Sequence, residues 1–263
     1  MRVRPCVLEG GCVRLVPLVL DHLDGLCAVG LDEELWRWTV SQVRTRDEMR
    51  AYIEAALGEF RVGRALPFTT FEKRSNRAVG STRFGSIDAP NRRLEIGWTW
   101  LGRPWQRTPL NTEAKYLMLR HAFETLGCLR VEFKTDALND RSRRALLRIG
   151  ATEEGILRSH VVTATGRVRD SVYYSLLARE WPAVKDRLER RLSRGSSPED
   201  GAGVPEGSRP GSGVPEGSPP GSTGRRLLPD GFERPSERLL ERELPESTRG
   251  SQVGAGGPPG GAS

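Results

Sequence analysis

The sequence predicts a mixed α/β domain around a single sheet over residues 1–194, followed by a disordered tail over residues 195–263. Three observations carry this. Alternating or β-branched runs interleave with amphipathic segments through the first 194 residues, strands preceding helices early and alternating with them later. Composition then breaks at Arg194: Gly and Pro fill 27 of the 69 positions after it, against 21 of the 194 before it. Hydrophobic residues make up only 37% of the chain, so part of it builds no core.

The elements follow in order. Val13–Pro17 reads as a strand and Asp21–Val29 as a helix, with Trp36 and Trp38 ending a short helical stretch. Thr45–Gly63 is a stronger helix: Thr45 caps it, Glu48 completes a capping box, and Met49, Tyr52, Ile53, Ala56, Leu57 and Phe60 form its stripe. Leu66–Phe71, Ala78–Ser86 and Arg93–Leu101 read as strands joined by turns at Arg74–Asn76 and Asp88–Asn91. Helix Thr112–Leu126, strand Arg130–Thr135 and helix Asn139–Ile149 come next, then strands near Gly155–Val162 and Val168–Leu177. Pro182 lies in the first turn of a last helix, along which Val184, Leu188 and Leu192 recur every four residues. In the tail, the decapeptide starting at Gly203 recurs at Gly213 with one change, so residues 203–222 form a flexible repeat. Ser236–Glu246 could form a helical turn or two, as a docking peptide or as a drifting extension.

Several function classes drop out. No run approaches the roughly 20 apolar residues that span a bilayer, and Val13–Leu20 is broken by Arg14, so neither anchor nor signal peptide is expected and the cytoplasm is the expected location. Cys6, Cys12, Cys27 and Cys128 form no C-x-x-C pair and no cluster with histidine, which argues for reduced thiols and against a metal site. Net charge is +7 overall and +10 over residues 1–194, which invites a nucleic-acid reading. Of 41 cations, however, 37 are Arg, a skew that a GC-rich genome produces, and no nucleic-acid-binding motif accompanies them. A phosphate-bearing cofactor uses the same field more economically.

The most informative stretch is Leu94–Thr112, a strand, a loop and a helix start, which aims backbone N–H groups and the positive helix end at one place. Arg103 and Arg107 add charge beside it, and a second helix opens at Asn139 after another strand. The plainer alternative is an ordinary strand-loop-helix with solvated arginines.

Glu95-Ile-Gly-Trp98, Asn111-Thr-Glu-Ala-Lys115, Arg130–Asp136, Asn139-Asp-Arg-Ser142 and Ile149-Gly-Ala151 together resemble the GNAT superfamily of N-acetyltransferases. The branch most similar is that of the ribosomal-protein-alanine acetyltransferases, over about Val13 to Trp181. The resemblance implies a GNAT-like, partly splayed mixed sheet flanked by helices, with a CoA site between its two middle strands. It also implies acetyl transfer from acetyl-CoA to a primary amine, a protein N-terminus or a small-molecule amine, and it leaves a homodimer open.

Site residues follow from that resemblance. The family's phosphate loop maps onto Gln106, Arg107, Thr108, Leu110, Asn111 and Thr112, with Pro109 in place of the first glycine and hence one donor fewer. A loop degraded at Pro109 would instead make this a non-catalytic acyl-CoA-binding or interaction module. Asn139 corresponds to the residue contacting the pantetheine arm and Ser142 to the one near the sulfur, although Asn139 would serve equally as a helix N-cap. Glu95 is the leading general base. Alternation puts Glu95, Gly97 and Thr99 on one face and Leu94, Ile96, Trp98 and Trp100 on the other. The branch's glutamate after Glu154-Gly155 is absent, and His160 is the available substitute. One of Tyr173 and Tyr174 must face the cleft, whereas His22 and His121 read as structural.

Overall fold

The computed structural model describes residues 1–194; the decapeptide repeat and Ser236–Glu246 lie outside the described residues. Eight strands form one sheet: β1 (Leu8–Glu9), β2 (Val13–Pro17), β3 (Leu66–Glu72), β4 (Arg77–Asp88), β5 (Arg93–Leu101), β6 (Arg130–Asp136), β7 (Thr152–Val162) and β8 (Val168–Leu177). Their order across the sheet is β1-β2-β3-β4-β5-β6-β8-β7. Five helices cover it: α1 (Leu23–Gly30), α2 (Arg46–Arg61), α3 (Leu110–Arg120), α4 (Asp140–Ile149) and α5 (Trp181–Arg194).

Two apolar clusters hold the helices to opposite faces. Leu23, Leu26, Met49, Tyr52 and Ile53 of α1 and α2 pack with Trp36, Ala78 and Trp100. On the other face Leu110, Leu117 and Met118 of α3 and Val184 and Leu188 of α5 pack with Leu15, Phe68, Phe84, Val131 and Phe133. The capping box at α2 is present as expected: Thr45 accepts from Glu48 N–H while the Glu48 carboxylate accepts from Thr45 N–H.

One pairing decides where a site can form. β5 and β6 are the parallel pair, registered only at Arg93↔Arg130, Leu94↔Val131 and Glu95↔Glu132. Beyond Glu95, β5 stays paired with β4 out to Leu101, and β6 with β8 out to Asp136. The sheet therefore splits into a V, and backbone groups on both inner edges lose their ladder partners.

Three details differ from expectation. α3 ends at Arg120 rather than Leu126, because its last residues, His121–Thr125, widen into a π turn. β1 is two residues long, too short to show a pattern. In β5 the alternation fails at Trp98, which adopts φ +49° where the β4 register slips between Ser81 and Arg83. This β-bulge turns Trp98 out to 37% exposure, off the face it would share with Leu94 and Ile96.

Candidate active site

The V opens toward two helix starts. At α3, Pro109 occupies the N-cap with φ −61°, which its ring favours, and the first bond the helix closes is Glu113 N–H to Pro109 C=O at 2.9 Å. The amides of Leu110, Asn111 and Thr112 thus fall in the turn that has no intrahelical acceptor, and only Leu110 N–H finds one, Thr108 Oγ1 at 3.4 Å. Asn111 Oδ1 is buried with no partner. Two free amides at a positive helix end fit a phosphate-bearing co-substrate.

The loop before α3 is braced. Gln106 donates through Nε2 to Leu101 C=O at 2.8 Å and accepts from Arg141 Nη1 at 2.7 Å, tying the end of β5 to α4. Thr108 Oγ1 donates to Trp105 C=O. Arg107 takes φ +63° and makes no ion pair among the described residues, whereas Arg103 is committed to Asp32 at 2.8 Å. A cavity of about 430 Å³ opens beside Thr108, Pro109 and Leu110, walled by Gly11, Cys12, Lys73 and Arg74.

At the second helix start, Asn139 caps α4 by accepting from Ser142 N–H at 3.0 Å, and the Ser142 hydroxyl stays free of internal partners. Asn139 thus performs the capping role the sequence allowed.

Glu95 lies at the last registered pair, where the V begins. It is 5% exposed and accepts from Lys134 Nζ at 2.8 Å and Ser86 Oγ at 3.1 Å. Its carboxylate folds over Gly97, where a Cβ would sit 2.7 Å from Oε1. Burial works against the Lys134 ammonium, yet the adjacent carboxylate outweighs it and holds Lys134 above the ordinary lysine value. The Lys134 ammonium also lies 5.2 Å over the Tyr173 ring, and Tyr173 meets His160 edge-on at 5.7 Å. Glu95 and His160, distant in sequence, therefore terminate one row of side chains, with His160 exposed at the rim. Tyr173 is the tyrosine on this face, whereas Tyr174 is buried on the other and donates to Glu153 at 2.8 Å.

Two residues near the bulge escaped the sequence reading. Lys115 of α3 is 7% exposed, and its Nζ donates to Thr99 Oγ1 at 2.6 Å, which in turn meets Thr82 Oγ1 at 2.7 Å. Burial pulls its pKa down to about 7, a fall the Glu95 charge only partly opposes. A lysine inside the otherwise packed run Ala114–Leu119 was the available signal. The second is Arg83, on β4 directly opposite Gly97 and 5% exposed.

Among the described residues no helix is long and apolar enough to cross a membrane. The four thiols are free, and burial raises all of them, Cys12 to about 12 and Cys128 to about 11.

The acetyltransferase (GNAT) domain profile matches residues 13–152. A solved GCN5-related N-acetyltransferase from Brucella melitensis is 34% identical with a TM-score of 0.68, the match covering 75% of this chain and 88% of that one. YdaF of Bacillus subtilis (strain 168), which carries a ribosomal N-acetyltransferase name, is 36% identical over 106 residues, 40% of this chain and 57% of YdaF. RimJ of Mycobacterium smegmatis, solved in complex with CoA-disulfide, shares the fold at 23% identity and a TM-score of 0.61, over 72% of this chain and 92% of its own.

Proposed function

The chain belongs to the GNAT acetyltransferase family of acetyl-CoA-dependent N-acetyltransferases, and from that premise we propose that it acetylates a primary amine by direct attack in a ternary complex. The observation that carries the reading is the V between β5 and β6, with Glu95 at its closed end and the α3 and α4 N-termini at its open one.

Acetyl-CoA supplies the acetyl group as a thioester. The free amides of Asn111 and Thr112, with Arg107, would hold its phosphates, while Asn139 and the unpaired strand edges would hold the pantetheine arm. Glu95 accepts the proton that the attacking amine releases, directly or through one water, as the C–N bond forms and the C–S bond breaks. The Ser142 hydroxyl donates to the departing thiolate. Lys134 holds the Glu95 carboxylate in place through their ion pair, and His160 stands at the exposed rim of the same row of side chains, within reach of an entering acceptor. The raised thiols disfavour an acyl-cysteine route, because the thiolate is the nucleophilic form.

The alternative of a non-catalytic module rests on Pro109. Its missing N–H precedes the helix's first turn, and the amides of Asn111 and Thr112 remain beyond it. The name of YdaF, a ribosomal N-acetyltransferase, favours a ribosomal acceptor. Thiol release from acetyl-CoA, followed over a panel of amines and N-terminal peptides, tests the reading. At least one acceptor should give turnover that falls by about 100-fold or more in Glu95→Gln. Turnover unchanged in that variant would remove Glu95 from the chemistry.

A further inference from the structure

Arg83 is a buried guanidinium without a counter-ion. It is 5% exposed, its Nε is sealed with no partner, and no hydrogen bond or ion pair to it is present among the described residues. The two buried carboxylates of the sheet are committed elsewhere: Glu95 to Lys134 and Ser86, Asp136 to Arg167, with Arg169 nearby. An unpaired buried cation is costly, and an anion arriving from outside would relieve that cost.

The surroundings of Arg83 are built rather than accidental. Its guanidinium lies 4.8 Å over the Trp98 ring and 5.2 Å over the Tyr52 ring. Tyr52 is itself backed by Trp36 at 5.3 Å, and Trp36 by Trp100 at 5.4 Å. A Cβ on Gly85 would run into the Trp98 ring, so the slot depends on glycine there. Trp98 reaches the slot only because the β5 bulge puts it at φ +49°, a conformation bulky residues avoid and structures retain mainly at functional sites. Contact with two aromatic rings restricts the orientation of the guanidinium fork, which suits it to a bidentate oxyanion.

Its position links it to the chemistry. Arg83 and Gly97 are Cα partners, and the Glu95 carboxylate folds over Gly97 on the same face. Glu95 lies two residues back along β5, a rise of about 7 Å. An amine at Glu95 and a carboxylate at Arg83 can therefore belong to one small molecule or to the first residues of one peptide.

We propose that Arg83 is the carboxylate clamp of the acceptor subsite, and that the acceptor is an amine carrying a nearby carboxylate. This rests on the acetyl-transfer reading above and narrows its substrate class. The +10 charge of residues 1–194 draws such acceptors in and repels polycationic amines.

The test uses the full chain and begins by confirming acetyl-CoA binding calorimetrically. Thiol release is then followed with each amino acid against its carboxamide, and with Ala-Asp-Ala against Ala-Asn-Ala to separate free amino acids from peptide acids. At least one acid should exceed its amide by about 30-fold or more in kcat/KM, mostly through KM. In Arg83→Gln that preference should shrink to within about threefold, with the KM for acetyl-CoA unchanged. Arg83→Met, which keeps an unbranched side chain against the rings, should behave likewise and melt no lower than wild type, as removal of an unpaired charge predicts. Acids no better than amides in wild type, or a preference that survives in both variants, would overturn the clamp. If no amine is consumed, binding of N-acetyl amino acids against their amides in the presence of CoA decides, and equal or absent binding counts against it. Failure to bind acetyl-CoA would instead sink the reading beneath it.

Discussion

The two faces of β5 treat buried cations in opposite ways. On the α2 face Lys134 sits 2.8 Å from the Glu95 carboxylate and is held charged. On the α3 face Lys115 bonds only the Thr99 hydroxyl, and burial draws its pKa to about 7 against the weaker pull of the Glu95 charge. The residue type is the same and the strand between them is shared, so direct pairing with the Glu95 carboxylate makes the difference. The face that carries that carboxylate also carries Arg83, Tyr173 and His160, and it is there that an acceptor's charges can be answered.

Breaking the pair on the α2 face should have the largest effect. Lys134→Met leaves Glu95 buried with only the Ser86 hydroxyl, and unfolding free energy should fall by about 3–5 kcal/mol in denaturant titrations. A loss below 1 kcal/mol would mean that the pair is solvated in practice. Glu113 offers a second carboxylate for comparison, because backbone amides replace the lysine. It accepts from the N–H groups of Gly11, Cys12 and Val13 at 2.7–2.8 Å. Burial alone would raise its pKa, but those bonds outweigh it and hold it below the ordinary value. Because its folded pKa is depressed, Glu113 contributes stability above its unfolded pKa, and that contribution disappears as pH falls through the folded one. Glu113→Gln should cost about 2–3 kcal/mol at neutral pH and flatten the acid limb of a stability–pH profile.

The α3 face should respond with the opposite sign. Native Lys115 titrates near 7, while the same group in the unfolded chain titrates near 10.5. Between those values the unfolded chain holds a proton that the native chain lacks, so stability rises with pH across that window and is flat below it. Lys115→Met should therefore stabilise the protein by about 1–3 kcal/mol at pH 7 and abolish the rise. A destabilised variant with the rise intact would show Lys115 to be charged and paired.

Much of this was legible beforehand, and the failures share a cause. The capping box at Thr45 and Glu48, the cap at Asn139 and the mixed, splayed sheet rest on local chemistry or on motif order, which a sequence displays directly. Trp98 was misplaced because alternation assumes two residues per repeat, and one bulge reverses every assignment around it. Arg83 and Lys115 were passed over because a charge in a strand or helix ordinarily marks a solvated face. Only tertiary packing shows that these two face inward. The helix through Leu126 failed at the π turn, which has no compositional marker.

Pro109 gives the smallest expected effect. Pro109→Gly adds one N–H ahead of the free amides while removing a φ already suited to the helix start, so acetyl-CoA affinity should rise by about tenfold. A fall would show that proline shapes the loop for binding.

The central claim is that the V between β5 and β6, with the two helix N-termini at its mouth, is the acetyl-CoA site. Backbone amide NMR of the full chain during an acetyl-CoA titration tests it most directly. The account predicts saturable shifts concentrated at Leu110–Thr112, Asn139–Ser142 and Gly97–Thr99. Shifts confined to Gly11, Cys12, Lys73 and Arg74, around the neighbouring cavity, or no saturable shifts up to millimolar acetyl-CoA, would contradict it.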